Sequence, residues 1–114
     1  MEKNENRKHR RICSLNLSYV CLDEEGKIVK QGMGRTLNLS ESGILLETHF
    51  AIALEHTVIL SMGLEEWLVD MRGRPVHVNS AREGVYEVGI EFIDPPEEAL
   101  ATVRRFLSSV TPER

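Results

Sequence analysis

Alternation of apolar and polar residues in short segments constrains the fold of this chain more than any other feature of its sequence. The stretch 12–22 carries an apolar or aromatic residue at every second position, namely Cys13, Leu15, Leu17, Tyr19 and Cys21. A period of two residues is typical of a strand with one buried face. Further segments of this kind lie at 27–37, 43–48, 57–62, 67–78 and 85–93. The pattern predicts six short antiparallel strands joined by tight connections.

Glycine and polar clusters divide these segments. Residues 23–26 and 80–84 predict turns, and residues 38–43 predict a polar loop between the second and third strands. Gly73 lies inside the fifth segment, where an isolated glycine indicates a β-bulge.

The period changes towards the end of the chain, where apolar residues recur every three or four positions and predict an amphipathic helix at about 95–110. Asp94 is the predicted N-cap, with proline in the first turn and Glu97 closing a capping box. The apolar stripe comprises Ala99, Leu100, Val103, Phe106, Leu107 and Val110. We expect this stripe to cover an open end or flank of the sheet. Strands and helix together predict a small barrel with a helical lid.

The composition is that of one small globular domain. The chain has 114 residues, of which 41% are hydrophobic and 28% charged. Its longest apolar run is far shorter than the ~20 residues that a membrane helix needs. The first residues are polar and charged, which predicts that there is no signal peptide and that the protein is cytoplasmic.

The two cysteines, Cys13 and Cys21, fall in one predicted strand. At ~3.3 Å per residue they lie about 26 Å apart, too far for a direct disulfide. No CxxC occurs and the four histidines have no partner at ligand spacing, so we predict no metal site.

Positive charge is concentrated in residues 1–11, the basic arm. Five cations and two carboxylates give this arm a net charge of +3, whereas the whole chain carries −4. A basic arm on an acidic body indicates a local anion site. The sequence therefore divides into an arm (1–11) and a barrel with its helix (12–114).

Within the arm, Arg7 and Arg11 have the spacing Arg-x-x-x-Arg, with Lys8 and Arg10 between them. Guanidinium groups bind phosphate oxygens bidentately and stack on nucleobases. By itself such a run is also compatible with a solvated tail or a general nucleic-acid patch.

The stretch 38–43 contains Asn38, Ser40 and Gly43. One interpretation is a simple turn, in which the Asn and Ser side chains bond the backbone and glycine adopts a positive φ. The other is a polar notch that admits a ligand close to the backbone.

These two segments, in this order, resemble the paired RxxxR and (D/N)xSxxG motifs of the PilZ domain family. The stretch 86–92, Tyr-Glu-Val-Gly-Ile-Glu-Phe, is similar to the last strand of that family, and a predicted helix follows it. The resemblance covers residues 7–110. It implies a mainly β fold, a six-stranded antiparallel β-barrel with a C-terminal α-helix and a flexible basic N-terminal arm.

The resemblance also implies binding of bis-(3′,5′)-cyclic di-guanosine monophosphate (cyclic di-GMP), a bacterial second messenger. Arg7 and Arg11 would hold phosphates and guanine edges, Asn38 and Ser40 would bond the polar edge of a guanine, and Gly43 would let the loop close. Many members carry Asp at the position of Asn38, and the uncharged amide favours a lower affinity.

Lys8 and Arg10 are additional candidate ligand residues. A downstream protein partner would carry the signal onward, with no insertion into a membrane.

Catalytic motifs such as GxSxG and HExxH do not occur, so we expect no enzyme activity and no cofactor. Two alternatives stay open. A PilZ-like adaptor would bind a protein but not the nucleotide. A small barrel could bind single-stranded nucleic acid through its arm, although an aromatic content of 5% disfavours stacking on bases.

Overall fold

The computed structural model describes residues 11–64 and 66–109, and the side chains from residue 15 onward. The six strands are β1 (Arg11–Leu22), β2 (Ile28–Leu39), β3 (Gly43–Thr48), β4 (Thr57–Leu64), β5 (Trp67–Arg82) and β6 (Val85–Phe92). One helix, α1 (Glu97–Ser109), follows them. The prediction of six strands and a C-terminal helix is confirmed.

The strands form a closed antiparallel barrel in the order β1-β2-β3-β6-β5-β4, with β4 returning to β1. Alternate residues point inward, as the period of two requires. Leu17, Tyr19 and Cys21 of β1 are buried, and Val88 and Ile90 of β6 meet them in the same core. Cys21 is a free thiol, and burial raises its pKa.

The strand directions define two ends of the barrel. At one end β1 begins opposite Leu39, and β2 passes into β3. The last pair between β6 and β3, Glu91 with Gly43, also lies at this end. We call this the site end. Helix α1 leaves β6 here and packs against β5 and β4. The opposite end carries the β1–β2 turn and the β5–β6 turn.

The helix begins later than the capping box predicts. The first helical hydrogen bond runs from the Leu100 N–H to the Pro96 carbonyl (2.9 Å), so Pro96 is the N-cap. Asp94 lies two residues earlier with a φ of 42°, and its assignment as the N-cap is wrong. The reason is that a residue before proline avoids helical dihedrals, which applies to both Asp94 and Pro95.

Four residues of the predicted stripe, Ala99, Val103, Phe106 and Leu107, are buried. Leu100 is half-buried, and Val110 lies outside the described residues. The stripe therefore covers the flank of the barrel as expected.

Two further predictions on β5 are wrong. Gly73 pairs in register with Val58 and Phe92, and the irregularity lies instead between Pro75 and His77. Proline has no N–H to give to the ladder, which favours a bulge beside it. The turn predicted at 80–84 is in fact shorter, because β5 continues to Arg82 and only two residues connect it to β6.

Candidate ligand-binding site

Ser40 organises the connection between β2 and β3. Its hydroxyl oxygen accepts the N–H groups of Ser42 and Gly43, each at 3.2 Å, and donates to the Gly43 carbonyl at 3.3 Å. The Ser40 N–H also donates to that carbonyl at 2.9 Å. Such a serine turn satisfies the polar backbone of a tight connection. The interpretation of this segment as a simple turn is therefore confirmed for the Ser40 side chain, which bonds the backbone of the turn.

Asn38 is not in the loop that the sequence predicts but on β2, opposite Ile12 of β1 and Leu45 of β3. The register shifts between Thr36 and Asn38, so Leu37 is an extra residue in the strand. Leu39 is fully buried, and alternation therefore places half-buried Asn38 on the outer face. The strand fixes the backbone from which its amide projects.

Gly43 begins β3 and is a glycine for a different reason from the one predicted. Among the described glycines only Gly26 and Gly84 have a positive φ. A Cβ at Gly43 would lie well under 3.0 Å from the Ile90 carbonyl oxygen of β6, closer than real Cβ atoms approach. The residue therefore permits a close contact between two strands.

Arg11 is the first residue of β1, and its backbone lies opposite Leu39. The arm thus enters the barrel beside Asn38 and Ser40, the two neighbours of Leu39 in sequence. Arg7, Lys8 and Arg10 lie outside the described residues. The structure brings together Asn38, Ser40, Gly43 and the backbone of Arg11.

A link from this loop to the helix has no signal in the sequence. The Arg104 guanidinium lies 3.1 Å from a Glu41 carboxylate oxygen and 3.6 Å from one of Glu97. The Arg104 side chain is exposed on the outer face of the helix. The partner Glu41 is distant in sequence, so only the barrel closure brings them together.

The outer surface next to Asn38 continues across three strands. Asn38, Leu45, Gly89 and His77 occupy consecutive paired positions on β2, β3, β6 and β5. The His77 ring lies over Gly89, where any side chain would overlap it. Neighbouring strands are ~4.8 Å apart, so the row spans roughly 14 Å with an apolar middle.

Two ion pairs border this row. Arg35 holds both carboxylate oxygens of Glu47, at 3.1 and 3.2 Å. The hydrogen bonds that Arg35 donates to Glu47 lower the pKa of Glu47 and raise the pKa of Arg35. On the other side, Arg74 lies 3.3 Å from Glu91, the residue that pairs with Gly43. Both arginines already have carboxylate partners.

A separate groove of about 310 Å³ lies on the outer side of β4 and β5, beside the segment that leads into the helix. Arg72, Asp70 and Ile59 line it together with Ile93 and Pro96. It contains none of the predicted ligand residues. Within residues 11–64 and 66–109, no three His, Cys, Asp or Glu side chains are placed to hold a metal ion. No helix in the described part of the chain is long and apolar enough to span a bilayer.

Comparison with known families identifies the family to which this chain belongs. The family model described as the PilZ domain matches residues 5–109. The match takes in nearly the whole chain, including RxxxR and NxSxxG. The chain belongs to the PilZ domain family. A search of the curated proteins gave no match.

Solved structures share the barrel. The PilZ domain of CeSA from a cellulose-synthesizing bacterium is 18% identical with a TM-score of 0.64, and the match covers 90% of this chain and 98% of that one. The inhibitor of motility MotI/DgrA of Bacillus subtilis is 12% identical with a TM-score of 0.68, over 87% of this chain and 47% of that one. The chain thus spans about half the length of MotI/DgrA.

A third structure is the PilZ domain of YcgR from Escherichia coli, solved with cyclic di-GMP. It is 11% identical with a TM-score of 0.56, over 88% of this chain and 91% of that one. At these identities the likeness concerns the fold.

Proposed function

We propose that this chain is a receptor for cyclic di-GMP, without catalytic activity. The observation that carries the proposal is the position of Arg11. Its backbone lies opposite Leu39, the residue between Asn38 and Ser40 in the sequence. The arm therefore ends, at Arg11, beside the residues of the second motif. A dianion with two flat bases suits two guanidinium groups beside a polar notch.

Each motif residue has a distinct role in this proposal. Arg7 and Arg11 bind phosphates and guanine edges. The Asn38 amide bonds the polar edge of one guanine, and Gly43 keeps β3 close to β6. The Ser40 hydroxyl bonds the same guanine edge by turning its proton away from the Gly43 carbonyl, to which it donates at 3.3 Å without ligand. Lys8 and Arg10 add positive charge to the same segment.

Family membership and the YcgR domain solved with cyclic di-GMP support this ligand. The outer row from Asn38 to His77 offers an apolar surface next to the polar notch, on which a base can lie. Arg35 and Arg74 are paired with carboxylates at the borders of that row. We therefore assign the phosphates to the cations of the arm.

Titration calorimetry of the full chain with cyclic di-GMP tests the proposal. We expect saturable binding of cyclic di-GMP and none of GTP. Binding only to oligonucleotides, with an affinity that falls steeply as salt rises, would favour the nucleic-acid alternative. Absence of heat with every nucleotide would favour a protein adaptor.

Ser40→Ala is expected to weaken cyclic di-GMP binding and also to lower the free energy of unfolding by about 0.5–1.5 kcal/mol, because two N–H groups lose their acceptor. Ser42→Ala is the matched control, because the Ser42 hydroxyl lies 3.3 Å from that of Ser40 but accepts neither of these N–H groups. Calorimetry and thermal unfolding measure the two effects. If Ser40→Ala loses stability but binds as tightly as the parent, the hydroxyl serves only the turn.

Signal transmission is proposed to occur through the arm. Ordering a backbone residue costs roughly 1–2 kcal/mol, so a ligand must engage Arg7 and Arg11 together to hold the segment. The ordered arm then creates or removes a surface for a partner protein. Amide exchange of residues 5–11 is expected to slow on addition of cyclic di-GMP but not of GTP. Unchanged exchange at saturation would contradict this mechanism while leaving the binding itself intact.

A further inference from the structure

Strand β2 is paired along its whole length on one side only. It pairs with β1 from Ile28 to Leu39, but its pairing with the shorter β3 begins at Arg35. No strand in the described part of the chain pairs with the β3 side of residues 28–33. We call this stretch the free edge of β2. Backbone groups on such an edge are a template for another strand.

The free edge is also apolar. Ile28, Val29 and Met33 are 61%, 46% and 61% exposed. Gly32 faces inward, because a Cβ there would lie 3.2 Å from the Tyr19 hydroxyl. Alternation then places Gln31 and Met33 on the outer face. Val29 is the extra residue at the register shift opposite Cys21 and Leu22 of β1, and it is exposed beside them. Two exposed apolar side chains thus flank a polar one along the edge.

We propose that a second copy of this chain pairs with this edge, β2 antiparallel to β2, about a two-fold axis at Gln31. In that register Val29 of each copy lies opposite Met33 of the other, and the two Gln31 residues face each other. A two-fold axis repeats the Val29–Met33 contact on both sides of the centre. Apolar pairs directly across neighbouring strands stabilise a sheet.

The neighbouring registers fit less well. A centre at Lys30 sets Val29 opposite Gln31 and Met33 opposite Lys27, so that each apolar side chain meets a polar one. A centre at Gly32 sets Gln31 opposite Met33 and leaves Val29 beyond the free edge. Of these three registers, only the centre at Gln31 sets apolar side chains opposite each other on the outer face. This self-complementarity selects a second copy as the occupant.

Lys30 does not prevent the pairing, although a lysine on an edge strand often keeps other strands away. Its Nζ donates to the Ala51 carbonyl at 3.1 Å and lies 5.3 Å from the centre of the Phe50 ring. The charge is therefore directed to its own barrel. In the proposed register Lys30 also faces Gly32, which has no side chain.

Sedimentation equilibrium of the full chain without nucleotide, at concentrations up to about 1 mM, tests the proposal. We expect a dimer in the parent. V29K/M33K sets like charges opposite each other twice and is expected to weaken the dimer at least about tenfold. V29E/M33K sets a carboxylate opposite an ammonium twice and is expected to restore it, more strongly at low salt.

The matched control is Leu68→Lys, a change at a residue of β5 that is 77% exposed and lies away from the free edge. It is expected to leave the dimer unchanged. A parent that stays monomeric throughout would overturn the proposal, as would a dimer that V29K/M33K leaves intact. If V29E/M33K dimerises as weakly as V29K/M33K, the register is wrong. Thermal unfolding of the two variants, which differ only in the residue at position 29, verifies that both are folded.

Discussion

Replacing Arg7 or Arg11 with alanine is expected to weaken cyclic di-GMP binding at least about tenfold. A hydrogen bond to a charged group contributes roughly 1.5–3 kcal/mol, and 1.4 kcal/mol corresponds to a factor of ten in affinity. Each guanidinium in the proposed site makes at least one such bond to a phosphate. Calorimetry of the two single variants measures the loss.

Lys3→Ala is the control for this pair, because it removes a cation from the same arm outside the RxxxR spacing. We expect it to lower the affinity only slightly, and we expect this slight loss to be larger at low salt than at high salt. The unfolding temperature without ligand should be the same for all three variants. If Arg7→Ala and Arg11→Ala bind no more weakly than Lys3→Ala, the arm acts only through its overall charge and the site assignment fails.

Gly43→Ala is expected to lower the free energy of unfolding by about 1–3 kcal/mol, the usual cost of forcing an extra carbon into a packed position. The added Cβ would overlap the Ile90 carbonyl, so β3 must move away from β6. Each kcal/mol lowers the unfolding temperature by several degrees, roughly 4–8 °C in small domains. Thermal unfolding without ligand measures the effect.

Gly63→Ala supplies the comparison on another strand. Gly63 lies in β4, and a Cβ there would have nothing within 4 Å. Its φ is not positive, so alanine is expected to be neutral or slightly stabilising. Equal losses at both positions would mean that the contact with Ile90 is not what requires a glycine at 43.

The position of Asn38 shows why sequence reasoning located the second motif but not its geometry. Asn38, Ser40 and Gly43 together have the composition of a loop, and local propensity predicts one. In the structure the strand continues through Asn38, because pairing with β1 and β3 on both sides outweighs that propensity. Only the turn from Ser40 onward follows the local rule.

The errors on β5 and at the helix start have a related origin. Gly73 lies in the regular ladder, and a Cβ there would overlap the Ile90 side chain. Close packing, and not the conformational freedom of its backbone, therefore explains the glycine. For the helix, the two prolines after Asp94 set the first helical residue, whereas the capping pattern alone predicts an earlier one.

Local chemistry along the chain determined the number of strands, the inward face of each and the apolar stripe of the helix, whereas the resemblance to a family supplied the candidate ligand residues. These properties depend on side-chain period and type, which the order of residues states directly. The contact between Gly43 and Ile90, the pairing of Glu41 with Arg104 and the free edge of β2 have no such local signal. They depend on which strands become neighbours when the barrel closes and on how far each strand extends past the next, and only the tertiary structure decides that.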